Sequence, residues 1–166
     1  MSLTGAGICT LNGNTNMYTV ETEPGLFKNR YKRIDYIVRK CFEYIDGAEL
    51  VCIEQGFFHK KNVSGAMDIA GLNYMIRREL TYAGIKWVEA APSQLKKFIL
   101  GSAKGKSAKE LIMLNVYKKY KVEPADNNQA DACVLAHIAE AIARSKRNEW
   151  PNLAKYQLEV VHKIIG

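Results

Sequence analysis

The stretch that most constrains the fold is residues 50–58, LVCIEQGFF. Leu50, Val51, Cys52 and Ile53 form an apolar run without polar alternation, and Glu54, a glycine and two phenylalanines follow. A strand with one wet face alternates apolar and polar residues, so an unbroken run fits a short strand buried on both faces. Glu54 sits where such a strand ends. In open α/β sheets functional groups gather there, because the strand fixes position while the following loop supplies reach. A solvent-facing glutamate is the plainer reading, and Glu54 needs partners before it implies chemistry.

The flanking sequence alternates strand and helix patterns. GAGICTL at residues 5–11, the turn Asn12-Gly13-Asn14 and an apolar run at 17–20 read as a hairpin. Phe27, Tyr31, Ile34, Val38, Cys41 and Ile45 recur at helical spacing, with Gly47 as terminator and Lys28, Arg30, Lys32, Arg39 and Lys40 opposite. After the polar loop HKKN comes a long helical pattern over about 64–83. Ile69, Leu72, Ile76, Leu80 and Ala83 form its apolar face, and Met67, Tyr74, Met75 and Tyr82 widen it. A helix apolar over more than one stripe is deeply buried or packed on another subunit. A strand at 86–90 and a short helix at 92–100 follow. The loop GSAKGK leads to Ser107-x-x-Glu110, a capping-box spacing that predicts a helix to about Tyr120. Asp126 with Gln129 three residues on predicts another helix start, continuing through Ala143, and the tail after Pro151 reads as one more amphipathic helix. The alternation makes the chain α/β, most economically one mixed sheet flanked by helices.

A chain of 166 residues fits one domain with a real core. It shows no export signal and no segment apolar enough to span a bilayer, so the expectation is a soluble, cytoplasmic protein without membrane association. Cys9, Cys41, Cys52 and Cys133 lack metal-ligand spacing and fall in apolar segments, which favours reduced core thiols. Charge is unevenly placed. Residues 92–121 hold eight lysines against one acid, an excess equal to the formal +7 of the whole chain. A concentrated basic surface suits a polyanion such as nucleic acid, although a charge run is also what a solvated face looks like.

The best partner for Glu54 is Asp131, which interrupts the apolar helix pattern ADACVLAHIA. A carboxylate on a buried stripe is costly unless paired or bound to a cation. Asn128, three residues earlier, shares its helix face. Asp126 does not and is better used as an N-cap, while His137 reads as a structural or surface histidine.

Taken together, CIEQGFFHKKN, an amphipathic helix, AAPSQLKKFILGSAKGKSAKELI and NNQADACVLAHIA resemble the RuvC-type Holliday junction resolvases, particularly the small phage and bacterial relatives. The likeness spans about residues 2–145 in order and spacing. It implies an RNase H-like mixed β-sheet flanked by α-helices over residues 1–145, with 146–166 as a helical tail. The implied activity is that of a hydrolase of DNA recombination and repair, a magnesium-dependent endonuclease that cuts branched DNA such as the Holliday junction as a homodimer. Mn²⁺ is an expected substitute for Mg²⁺.

By the same resemblance Glu54 and Asp131 bind metal, and Asn128 stands where the family often has another acid. Lys104, Lys106 and Lys109 match basic residues near the scissile phosphate, with Lys109 assigned to charge stabilisation. Phe57 matches an aromatic that stacks on an unpaired base, with Phe58 as an alternate; anchoring a loop is the competing role. Lys60 and Lys61 are weaker DNA-contact candidates. The family's first strand carries G-x-D-x-S-x-T-G, and here Ser2, Thr4 and Gly5 match only its end, so the aspartate would precede residue 1. Either the chain begins inside that strand or the protein has lost a ligand, and the intact downstream motifs favour the first. With Glu54, Asp131 and Asn128 alone, binding two Mg²⁺ ions roughly 4 Å apart is doubtful and cleavage is expected to be weak or absent. A catalytically silent junction-binding module and a nuclease acting on another nucleic acid are the competing functions.

Overall fold

The computed structural model describes residues 5–23, 25, 27–56, 63–102 and 109–166. Strands β1 (Gly5–Leu11) and β2 (Thr15–Glu21) form the expected hairpin, paired antiparallel along their whole length from Gly5 opposite Glu21 to Leu11 opposite Thr15. Its tight turn relies on Gly13, whose φ of +88° lies in the left-handed region. Helix α1 (Arg30–Ile45) follows, capped where the Asn29 side chain accepts the Tyr31 N–H at 2.8 Å. Its inner stripe is Ile34, Ile37, Val38 and Cys41. Tyr31 departs from the sequence reading: it lies in the first turn, 67% exposed, under the Arg30 guanidinium. Ile37 fills the core position instead.

Strand β3 (Val51–Glu54) pairs in parallel with β4 (Trp87–Ala90), Val51 opposite Trp87 and Glu54 opposite Ala90. The crossover between them is α2 (Val63–Tyr82), whose Leu72, Ile76 and Leu80 are buried. Arg77 on α2 reaches Glu89 on β4 at 2.6 Å and fixes the helix over the strand. The apolar run is used on both faces. Val51 and Ile53 meet the core beneath α1 and α2, while Leu50 and Cys52 meet the core on the opposite side.

That opposite core is built by α3 (Pro92–Leu100), α4 (Lys109–Tyr120), α5 (Asn127–Lys146) and α6 (Lys155–Ile165). Pro92 opens α3, and Gly101, with φ +79°, closes it. The tail helix α6 is part of this core: Val160 and Val161 are 2% and 0% exposed, and Gln157 donates to the Phe98 carbonyl at 3.2 Å.

The strands divide differently from the single sheet expected. Among the described residues they form two hydrogen-bonded pairs, β1 with β2 and β3 with β4, and no ladder joins the pairs. Helix α5 packs on β1, β2 and β3, so one helix backs both pairs. The arrangement remains α/β, with helices packed on one antiparallel and one parallel strand pair.

Candidate functional site

A cleft of about 740 Å³ opens between β1 and β3. Glu54, Asn128 and Asp131 all border it, brought together from the end of β3 and the first two turns of α5. Glu54 is held by strand pairing on both sides of its position: the Val51 N–H donates to the Lys86 carbonyl at 2.9 Å and the Gln55 N–H to the Ala90 carbonyl at 2.8 Å. Its side chain is half-buried, as are those of Asn128 and Asp131. Asp131 is flanked by the buried Ala130 and Ala132, and its carboxylate therefore sits at the border between the α5 core and the cleft.

The start of α5 is fixed with unusual care for a helix terminus. Asp126 caps it, accepting the Gln129 N–H at 2.7 Å, which is the role its sequence position suggested. Gln129 then works in two directions. Its carbonyl oxygen accepts the Ala125 N–H at 2.9 Å, and its amide donates to the Thr19 hydroxyl on β2 at 3.0 Å. The helix is thus tied to the hairpin one residue away from Asn128. Contact with β1 is closer still, since a Cβ on Gly7 would stand 2.1 Å from the Asn128 carbonyl oxygen. Only glycine admits that approach.

Below these residues Cys9 of β1 and Cys133 of α5 share a hydrogen bond. It favours the Cys133 thiolate, with His137 acting in the same sense against burial, and it drives Cys9 above the ordinary thiol range. Burial alone pushes Cys52 up to about 12 and Cys41 up to about 11. All four cysteines are unbridged. His137 is structural, stacked on Tyr120 with ring centroids 3.6 Å apart.

Sequence reasoning missed Asn73. Only 6% exposed, it donates from Nδ2 to the Ile69 carbonyl at 2.9 Å, while its Oδ1 has no hydrogen-bond partner among the described residues. A Cβ on Gly56 would lie 3.4 Å from that Nδ2, so Asn73 braces the chain as it leaves Glu54. An asparagine facing inward among apolar helix residues was the available signal. Gln129 and Gly7 were legible as residues but not as contacts.

The basic segment is partly spoken for. Lys97 pairs with Glu159 at 2.6 Å and Lys119 donates to the Tyr156 hydroxyl at 2.8 Å, both onto α6. Lys109 opens α4. Phe57, Phe58, Lys60, Lys61, Lys104 and Lys106, together with the Ser107 capping-box position, lie outside the described residues.

Chemically, two carboxylates and an amide carbonyl lining one cleft are hard oxygen donors, of the kind suited to a cation such as Mg²⁺ rather than to a thiophilic metal. Among the described residues no group of three or more His, Cys, Asp or Glu is placed to hold a metal ion. No helix among them is long and apolar enough to cross a membrane.

Comparison with known proteins identifies the family and the fold. The family profile described as crossover junction endodeoxyribonuclease RuvC matches residues 4–139. A search of curated proteins finds no match. Among solved structures the chain is similar to Thermus thermophilus RuvC in complex with a Holliday junction substrate, at TM-score 0.62 and 20% identity, covering 87% of this chain and 88% of the other. It is also similar to a second Thermus thermophilus RuvC structure, at TM-score 0.60 and 20% identity, over 87% and 90% of the two chains. At that identity the structural likeness establishes the fold, which is the α/β fold expected from the sequence.

Proposed function

Because the chain belongs to the RuvC family of crossover junction endodeoxyribonucleases, we propose that it binds four-way DNA junctions and that Glu54, Asn128 and Asp131 form its phosphodiester-cleaving site. The observation that carries this reading is that those three side chains, from two separate elements, all line one cleft. The donor set fits one hard divalent cation, Mg²⁺ or in its place Mn²⁺, held by the Glu54 and Asp131 carboxylates with Asn128 contributing its carbonyl. Bound there, such an ion supplies charge neutralisation at the phosphoryl group and a more acidic water.

The chain's own contribution is position. Strand pairing at Val51 and Gln55 fixes Glu54 along the sheet, and the Asp126 cap with the Gln129 bridge fixes the first turns of α5. A water between the carboxylates would meet groups carried on fixed backbone. Asn128 adds no negative charge, so the site attracts a cation less strongly than three carboxylates would. Weak cleavage follows.

DNA contact is assigned by the sequence resemblance to Phe57 and Phe58 through base stacking, and to Lys60, Lys61, Lys104, Lys106 and Lys109 through phosphate contact. The homodimer interface is assigned to the outer face of α2, where Met67, Tyr74 and Tyr82 are 67%, 67% and 75% exposed. Aromatic and methionine side chains on one face are the composition of an interface core.

A silent junction-binding module is the second reading, favoured by the want of a third acidic or imidazole ligand among the described residues. Incubating the chain with labelled four-way junctions, flaps and RNA–DNA hybrids in Mg²⁺ separates the possibilities. Slow, junction-selective, EDTA-sensitive cutting supports the first reading. Junction binding without cutting supports the second, and preferential cutting of hybrids would replace both.

A further inference from the structure

Helix α6 begins at Lys155, beyond residue 139 where the match to the family profile ends, yet it grips the end of α3 at three points. Glu159 pairs with Lys97 at 2.6 Å, Gln157 donates to the Phe98 carbonyl at 3.2 Å, and the Tyr156 ring lies against Gly101. A Cβ on Gly101 would stand between 3.6 and 3.8 Å from three carbons of that ring, an ordinary contact distance. Gly101 is where α3 stops: its φ is +79° and its N–H donates to the Lys97 carbonyl at 2.9 Å.

Tyr156 has a second contact. Its hydroxyl accepts from the Lys119 ammonium at 2.8 Å, and the same ammonium stands 5.1 Å from the centre of its ring. Lys119 belongs to the last turn of α4, next to the exposed Lys118 and Lys121. One side chain therefore touches the end of α3 and the end of α4, the two helices on either side of the stretch GSAKGK within the lysine-rich segment 92–121. The docking of α6 does not depend on it. Val160 and Val161 are buried, and the Gln157 bond to Phe98 is buried with them. What Tyr156 adds is a rigid aromatic link with a polar tip between α3 and α4.

We propose that Tyr156 is a positioning residue for phosphate binding. By touching Gly101 and Lys119 together it fixes the two flanks of the lysine-rich segment relative to each other, so that the segment meets the DNA backbone already ordered. Ordering done in the free protein is not charged against binding, and the gain appears as affinity. Tyr156 itself touches no DNA in this scheme. It acts through the turn at Gly101 and through the ammonium of Lys119. The inference rests on the junction-binding reading and adds to it a role for a helix outside the residues matched to the family.

The test compares the full chain with Tyr156→Leu, which loses both contacts, and Tyr156→Phe, which keeps the ring against Gly101 and loses only the hydroxyl. Amide hydrogen exchange is read at Gly101 in the free proteins, and binding to a labelled four-way junction is read in EDTA over a series of salt concentrations. In Tyr156→Leu, exchange at Gly101 should rise by about fivefold or more, the mark of a loosened helix end. Junction affinity should fall by about tenfold, and the dependence of log K on log salt should become shallower by about one, as when a phosphate contact is lost. Tyr156→Phe should keep Gly101 protected and bind within about threefold of the parent chain, since the ring still orders the turn. Partial unfolding cannot imitate this pattern, because a smaller folded fraction lowers apparent affinity without changing the salt slope. An unaltered Gly101 amide in Tyr156→Leu, or a loss of affinity at constant salt slope, would overturn this inference alone. A parent chain without salt-dependent junction binding would sink it together with the functional reading.

Discussion

Gly7 on β1 and Asn128 at the start of α5 are in such close contact that a side-chain carbon on Gly7 would stand 2.1 Å from the Asn128 carbonyl oxygen and 2.9 Å from the Gln129 nitrogen. The obstacle is backbone on both counts, so no rotamer change relieves it. Gly7→Ala must push the first turn of α5 off the hairpin. We expect a loss of about 1–3 kcal/mol in denaturant unfolding, the range for overpacking a tight contact. Junction cleavage or metal affinity should fall further than stability alone accounts for, because Asn128 and Asp131 move away from Glu54. An alanine variant with unchanged stability would show the approach to be looser than described.

The helix terminus offers a milder test. Asp126 accepts the Gln129 N–H at 2.7 Å, and Gln129 in turn donates to Thr19 at 3.0 Å. Asp126→Ala should cost about 1 kcal/mol, as cap removal generally does. Gln129→Ala should cost a similar amount and also free the helix from β2. The two effects should be less than additive in a double-mutant cycle, since both act on one turn.

These two contacts show which parts of the molecule the sequence discloses. The apolar run ending at Glu54, the hairpin with Gly13 at its turn and the Asp126 cap are local patterns, and local patterns follow from composition and spacing. That Glu54 and Asp131 line one cleft is legible because a carboxylate interrupts an apolar helix pattern. The Gly7–Asn128 approach, the Gln129–Thr19 bond and the bracing of Gly56 by Asn73 join residues far apart in the chain, and no periodicity encodes them. The division of the strands into two pairs was also hidden, because strand patterns give faces but not neighbours. Tyr31 was misplaced for a related reason: helical spacing continues to the helix end, whereas the core does not.

Burial of Cys41 yields a pH test. Its thiol is 5% exposed and is pushed up to about 11 from an ordinary 9.0 by the apolar surroundings. Above pH 9 the unfolded chain releases this proton while the folded chain keeps it. The contribution is therefore complete below pH 9 and is lost as pH rises toward 11, at about 1.4 kcal/mol per pH unit for one group. Cys41→Ala removes that slope at the expense of some packing. Unfolding free energies of the two proteins measured between pH 8 and 11 should converge as pH rises, and parallel curves would show that Cys41 titrates normally.

On α2, Tyr74 and Tyr82 are exposed and Arg78 lies over the Tyr82 ring at 4.9 Å. If this face joins two chains, Tyr74→Glu should convert dimer to monomer in sedimentation while leaving the melting temperature of the monomer within a degree or so, as a surface substitution does. A wild-type chain that is monomeric at micromolar concentration would remove the interface from α2.

Glu54 and Asp131 can be separated from the fold by neutralising them without changing their shape. Both carboxylates border the cleft, and on the nuclease reading both would face phosphate oxygens. In EDTA their negative charges oppose DNA, so Glu54→Gln and Asp131→Asn should each bind a junction as tightly as the unaltered chain or more tightly. With Mg²⁺ present the order reverses for catalysis. Each substitution should lower cleavage by about 100-fold or more, the usual size of losing one charge-stabilising group, and the Mg²⁺ concentration for half-maximal cutting should rise. The contrast between the two conditions matters more than either alone. Loss of junction binding in EDTA would assign the residues to folding, whereas cleavage that survives both substitutions would move the chemistry elsewhere in the chain.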